Sequence, residues 1–568
     1  MKITGTAILA FMPLFSFLPS PVVAGMSALA PDATIASIQK AIVKKQINCV
    51  QVVQAHIDRI KKINLDVREG PPLNAIVAIN PDIFEDARKL DARFKSSGKL
   101  TGVLHCIPVL LKDNIDSIDT PSTSGSLALI GSQPERDAFL VTQLKNAGAI
   151  ILGKSTMDEL ASGVWGVSTR SGRTGNAYDP SKSAGGSSSG SAVAVSAGMA
   201  VASIGSDNSG SLRIPAAYNG VFTIRPTPGL ISDRGGFPRG RLDGVFGPIA
   251  RSVTELAVLL DVMAVPDPEN PKTLNINRPP SYSGNLRKDG LGGKRIGILI
   301  SVHEKDQFRE ASPEVKGIYG NTFVNLEKLG AVLIHDIKLP KFDVDRKNNM
   351  AGEIEEVNEY LSSFPSTRAN YDDLCRSDRT QVAFDMKECF KHIQETASKG
   401  GQEYSAAVRK FDQNRTYVEE VMDQNKLDAL IVPIDSHGAA GDGKTEGLNC
   451  LVASNSGLPS VGIIVGYTNG SIRMPVGMEI IGHRFSEPTL LEIAFAHEQK
   501  SGPRILPLIV KNDLVKSPLD SLTIRDLNRL FTTIGWFTYQ EVLKNGTREN
   551  LTPEVFRKII SSVLERQK

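Results

Sequence analysis

Cysteine is scarce in this chain, and so is any excess of charge. Five cysteines (Cys49, Cys106, Cys375, Cys389 and Cys450) are scattered over 568 residues without CxxC spacing, which excludes a zinc ribbon and a dense disulfide framework as the basis of the fold. The odd number leaves at least one thiol free. Oxidising surroundings would let Cys375 pair with Cys389, and the others read as buried apolar side chains. With 65 basic and 62 acidic residues the formal net charge is only +3, so no electrostatic footprint for a nucleic-acid partner is present. The pairs Lys44-Lys45 and Lys61-Lys62 read as solvated helix faces. Internal repeats and low-complexity segments are also missing. Beyond the first residues, no apolar run reaches the about 20 residues that a membrane-spanning helix needs.

The N-terminus differs from everything after it. Lys2 is followed by an apolar run from Ile8 to Leu18, interrupted by Pro13, and by the small-residue stretch Val22-Val23-Ala24. This pattern predicts a signal peptide over 1–24 and an exported, periplasmic or secreted protein, with an uncleaved anchor as the alternative.

The remaining composition, 41% hydrophobic and 22% charged with 50 Gly and 32 Pro, is that of a loop-rich globular protein. Apolar positions at helical spacing (Ile35, Ile38, Ile42, then Val50, Val53, Ile57, Ile60) predict two amphipathic helices over 33–64. Short apolar runs at Ala75 to Ile79, Pro108 to Leu111, Ala149 to Leu152, Arg295 to Ile300 and Ala429 to Pro433 read as buried strands. Between them lie helical segments such as Ala138 to Asn146, stopped by Gly148. The alternation predicts an α/β fold: one large mixed, twisted sheet covered by helices on both faces, over 25–502. The stretch 266–294 reads as a surface connection, and 340–420 as charged and helix-prone. A C-terminal helical extension follows over 503–568, with one stripe at Leu527, Leu530, Phe531, Ile534 and Phe537. A second helix, capped by Thr552-Pro553, carries Val555, Phe556, Ile559, Ile560 and Val563. Such stripes pack on a parent domain; contact with a membrane surface is the alternative.

Three motifs compete for the chemistry. Gly148 to Ser155 (GAIILGKS) has the spacing of a phosphate-binding loop, but such a loop must follow a strand, whereas Ala149 to Leu152 is itself the strand. Gly186 to Gly190 (GSSSG) has the spacing of a nucleophile elbow with Ser188 as nucleophile. The elbow needs a strand before it and a histidine partner; residues 176–184 do not read as a strand, and none of His437, His483 and His497 is singled out by its context. The third motif runs from Ser183 to Gly220: a Gly/Ser turn, a small-residue helix over Ala192 to Ala202, and a second Gly/Ser turn ending in Arg-Ile-Pro. Two serine-bearing turns joined by one short helix face each other.

On these residues the sequence resembles the amidase signature family: GGSSSGS at 185–191, DNSGSLRIP at 207–215 and LHCIPVLLKDN at 104–114. The later segments GPIARS at 247–252, NSGLP at 455–459 and Pro475 to Gly482 fit as well, so the resemblance spans about 33–500. It implies an amide carbon–nitrogen hydrolase that needs neither cofactor nor metal. Ser211 would be the nucleophile forming an acyl-enzyme, Ser187 the relay and Lys112 the base, a serine–lysine variant of triad logic. To accept a proton near neutral pH, Lys112 must lose its charge more readily than a solvated lysine, as burial favours, with Asp113 pointing away along the strand. Backbone N–H groups of Asn208, Ser209 and Gly210 would hold the oxyanion, each well-placed donor worth about 3 kcal/mol. Ser187 is implied to follow a cis peptide. Ser188, Asp207 and Arg213 would support the turn, the last two by pairing. Two positions depart from the family pattern: Ser209 stands where many members carry glycine, and Cys106 replaces the glycine of His-Gly-Ile-Pro. The SSSG and SAVAV details look most like the peptide-amidase branch, which acts on C-terminal amides, so a small amide or peptide amide is the expected substrate. Alternatives are a cytosolic amidotransferase of the tRNA-dependent type (its A chain), an esterase using Ser188, a nucleotide-binding protein and a non-catalytic relative.

Overall fold

The computed structural model describes residues 27–566, apart from 69, 239–241, 309–310, 345–349, 378, 380–385, 438–446, 509–516 and 546–550. The expected signal peptide lies outside the described residues.

The core is one 12-stranded sheet. In chain order its strands are β1 (Ile76–Ile79), β2 (Pro108–Lys112), β3 (Ile150–Ser155), β4 (Ala202–Asp207), β5 (Phe222–Arg225) and β6 (Val245–Ala250), then β7 (Arg295–Val302), β8 (Lys305–Asp306), β9 (Val332–Leu339), β10 (Ala429–Pro433), β11 (Ser460–Tyr467) and β12 (Pro475–Ile481). Across the sheet they run β1-β3-β2-β4-β6-β5-β11-β12-β10-β7-β8, with β9 also paired to β7. The sheet is mixed. β3, β2 and β4 are mutually parallel, as are β10, β7 and β9, while the strands between pair antiparallel. Every residue of β2, β3, β4 and β6 is buried, so these strands are covered on both faces and show no apolar–polar alternation.

The helices Ile35–Val43 and Cys49–Ile63 form where the periodicity places them, each started by a reciprocal capping box, Thr34 with Ser37 and Asn48 with Gln51. The small-residue helix is shorter and earlier than expected, Ser189–Ser196. Gly198, at φ +72, ends it, and β4 has begun by Ala202. Its first turn uses Gly190, where a Cβ would lie 2.3 Å from the Ala75 carbonyl oxygen. Glycine there permits close helix–sheet packing, so the Gly/Ser run is part of the helix as well as of the turn.

The helices Ile524–Asn545 and Pro553–Glu565 close the edge of the sheet. Asn528 accepts the Ile79 N–H (2.8 Å) and donates to the Ile79 carbonyl (2.9 Å), capping edge strand β1. Leu527, Leu530, Phe531, Ile534, Phe556, Ile560 and Val563 are buried in the main core, so this apolar stripe is not available to a bilayer. No described helix is long and apolar enough to cross a membrane.

Cys375 and Cys389 are joined, and so are Cys49 and Cys106. The second pair corrects the reading of these residues as unpaired buried thiols. The N-terminus of helix Cys49–Ile63 meets the loop before β2, a contact across 57 residues that spacing cannot reveal. Cys450 is free and buried.

Candidate active site

Because β2 and β4 are adjacent and parallel, their C-terminal ends open on one edge of the sheet, where ligands of α/β folds bind. Lys112 is the last residue of β2, and Ser206 and Asp207 end β4. The Lys112 Nζ lies 2.7 Å from Ser187 Oγ, 2.9 Å from Ser206 Oγ and 3.4 Å from the Ser206 carbonyl. Asn114 donates to the same Ser206 hydroxyl at 3.1 Å. Lys112 and Ser187 are completely buried, whereas Ser211 keeps 7% of its surface exposed. Its hydroxyl makes no hydrogen bond among the described residues. The peptide between Gly186 and Ser187 is cis.

The two serine turns meet through Ser188. Its N–H donates to the Ser211 carbonyl (3.1 Å) and its hydroxyl to the Ser206 carbonyl (3.1 Å). The Ser188 hydroxyl is therefore committed to β4, and no strand runs into it as an elbow requires. The histidines of that alternative are engaged elsewhere: His437 with Asp435, His483 beside Glu419, and His497 on the Ile464 carbonyl.

Asp207 organises the turn that carries Ser211. It accepts N–H groups from Gly210 (3.0 Å) and Leu212 (2.9 Å), and Arg213 binds it through Nε (3.1 Å) and Nη2 (3.0 Å). Arg225 approaches at 3.4 Å. Burial opposes its ionisation, but the Arg213 and Arg225 guanidiniums hold the Asp207 carboxyl well below the usual carboxylate range. Arg213 continues to Glu479 (2.6 Å), the Cys450 carbonyl (3.0 Å) and the Ser454 hydroxyl (2.8 Å). The expected Asp207–Arg213 pairing is thus present within a larger buried network.

One expected role is corrected. The Gly210 N–H is spent on Asp207, so Gly210 is not an oxyanion donor in this geometry. The N–H groups of Ser209 and Ser211 form no hydrogen bond among the described residues, so both are available as donors. The side-chain amide of Asn208 donates to Asp243 at 3.1 Å, a bond separate from its backbone N–H. Gly210 is required for shape: at φ +109, a Cβ there would come within 2.8 Å of Cys450 Cβ.

Ser206, Asn114, Arg225 and Glu479 were not singled out by sequence. Glu479 left a signal, a carboxylate inside the otherwise apolar strand PVGMEII. The phosphate-loop pattern is accounted for by β3, whose N–H groups belong to the sheet. Lys154 within it is buried and donates to the Ile115 carbonyl (2.6 Å) and the Ser122 hydroxyl (2.9 Å). Cys49, His105 and Cys106 form the only group with metal-ligand proximity among the described residues, and the disulfide closes it.

A small cavity lined by Asn114, Ser206, Asn208, Gly236 and Phe237 adjoins the site. Through Asp233 and Gly236, which line both, it meets a cavity of about 710 Å³ walled by Asp116, Arg136, Tyr360 and Phe364. A space of that size can hold a small-molecule ligand.

A buried lysine bonded to a serine, beside a second serine-bearing glycine turn at the edge of a mixed sheet, is the arrangement in which the class of amide hydrolases is recognised. The amidase family model matches residues 51–491. A probable amidase of Arabidopsis thaliana is 32% identical over 493 residues, 82% of this chain and 90% of that protein. The A chain of the glutamyl-tRNA(Gln) amidotransferase of Symbiobacterium thermophilum is 30% identical, over 82% and 96% of the two chains. The native peptide amidase of Stenotrophomonas maltophilia superposes with a TM-score of 0.75 at 32% identity, covering 84% of this chain and 98% of that one. The chain belongs to the amidase family, and its activity is hydrolysis of amide carbon–nitrogen bonds.

Proposed function

We propose that the protein is an exported amidase acting on a small carboxamide or peptide amide through an acyl-enzyme on Ser211. The observation that carries this reading is the 2.7 Å contact between Lys112 Nζ and Ser187 Oγ, within reach for proton transfer. Neutral Lys112 takes the Ser187 proton as Ser187 takes that of Ser211, and Ser211 Oγ attacks the acyl carbon. The oxyanion is met by the N–H groups of Ser209 and Ser211. On collapse the proton returns through Ser187 to the leaving nitrogen, and the amine departs. Water, activated by the same path, then hydrolyses the ester and frees Ser211.

The similarity to peptide amidase and the cleft beside the site support a peptide-like acyl portion. The Val22-Val23-Ala24 leader pattern and the pairs Cys49–Cys106 and Cys375–Cys389 support an oxidising, extracytoplasmic location. The likeness to the amidotransferase A chains supports a second reading, glutamine deamidation with partner proteins. The test is to label the purified chain with a serine-directed fluorophosphonate, map the label by peptide mass, and assay peptide amides and glutamine. Label on Ser211 with release of ammonia from peptide amides is expected; label on Ser188, or activity on glutamine alone, overturns the proposal. N-terminal sequencing of the mature protein tests export.

A further inference from the structure

A carboxylate that the proposed proton path does not use lies against the Ser187 turn. Asp158, 1% exposed, follows β3, and its N–H donates to the Ser187 carbonyl at 3.2 Å. Its carboxylate accepts three backbone N–H groups, from Trp165 (3.3 Å), Gly166 (3.0 Å) and Val167 (3.3 Å). Two glycines make room for this arrangement. At Gly186 a Cβ would stand 1.8 Å from Asp158 Oδ2, and at Gly166, with φ +74, it would stand 3.0 Å from Ser189 Cβ. Asp158 therefore binds two segments at once: the turn that carries Ser187 and the 163–167 loop laid over that turn. Charge-assisted bonds to backbone N–H groups are strong, and removing the acceptor leaves buried donors unmet.

We propose that Asp158 is a positioning residue that holds Ser187 against Lys112 and fixes the 163–167 loop as the wall excluding water from that pair. The role rests on the proton path proposed above. Lys112 and Ser187 are both 0% exposed, as an excluded pair requires, and a small displacement of a proton-transfer group costs far more in rate than in affinity. Burial pushes the Asp158 carboxyl up, while the three N–H groups, and Lys112 whenever it carries the proton, oppose that rise. Its ionisation is thus tied to the loop and to the lysine together.

The experiment follows fluorophosphonate labelling of Ser211, resolved into a saturating rate constant and a half-saturating concentration. A Trp536→Phe background leaves Trp165 as the only tryptophan of the two in the chain. Asp158→Asn is expected to lower the saturating rate about 10- to 100-fold with half-saturation held within about twofold, and to shift Trp165 emission to the red. Gly166→Ala disturbs the loop from its other side and is expected to lower the saturating rate in the same way. It carries the test where Asp158→Asn fails to fold. An unchanged saturating rate in either variant, or a loss confined to half-saturation, overturns the role of Asp158. Absence of label on Ser211 in the parent chain overturns the proton path itself and this role with it.

Discussion

Arg213 and Glu479 lie 266 residues apart in sequence, yet their side chains meet at 2.6 Å with neither reaching solvent. The pair links β12, in the second half of the sheet, to the turn that carries Ser211. Truncating Glu479 to Ala leaves Arg213 short of a counter-charge in the core, an imbalance worth about 3–5 kcal/mol. Glu479→Ala is expected to lower the urea midpoint by a corresponding amount. A midpoint equal to the parent's would show that the network is not holding the two halves together.

On the proposed proton path, lysine is needed at 112 for its ability to be neutral. Arginine carries a permanent charge and cannot accept a proton, so Lys112→Arg is expected to be as inactive as Lys112→Ala, with rates about 100- to 10,000-fold below the parent. Ser211 labelling followed over time checks this in both variants. Appreciable labelling in Lys112→Arg would mean that the residue acts through its charge and not as a base.

Ser188 separates the two serine chemistries. Its hydroxyl donates to the Ser206 carbonyl at 3.1 Å and accepts the Ser206 N–H at 3.3 Å, so Ser188→Ala removes two buried hydrogen bonds, worth about 1 kcal/mol each. A lower denaturant midpoint with Ser211 still labelled is expected. Loss of all label would return the nucleophile to Ser188.

These outcomes depend on features of unequal legibility in the sequence. The strand at Ala429–Pro433 and the two helices over 33–64 were readable because apolar runs and helical periodicity are local signals. The trio Lys112, Ser187 and Ser211 was visible only through motif resemblance; composition and periodicity offered several equivalent serines. Ser206 escaped notice because a serine in a buried strand has no signature until the neighbouring strand brings Lys112 to it. The Cys49–Cys106 pair and the Arg225 contact to Asp207 were hidden for the same reason. The fate of the Gly210 N–H needed coordinates, since a turn's N–H groups are assigned by dihedral angles and not by residue type. Cys106, at φ +64, sits in a backbone region that favours glycine, which accounts for the glycine usual at this position in the family.

The cleft wall contains a pH-dependent group. Asp116 is buried, and its carboxyl is pushed up from 3.8 to about 6, first by burial, against the opposing hydrogen bond from the Tyr360 hydroxyl at 2.7 Å and the nearby charge of Lys154. The folded chain therefore holds this proton more tightly than the unfolded chain. The favourable contribution is complete below the unfolded value of 3.8, fades as pH rises toward about 6, and is gone above it. A shift of this size corresponds to a few kcal/mol, on the order of 1–3 after allowing for relaxation. Asparagine retains an acceptor for the Tyr360 hydroxyl and never ionises. Asp116→Asn is accordingly expected to match the parent's stability at pH 4 and to exceed it at pH 7.5 by that amount, as read from urea unfolding at the two pH values. An equal difference between the two proteins at both pH values would show that Asp116 ionises in the folded chain as it does in water.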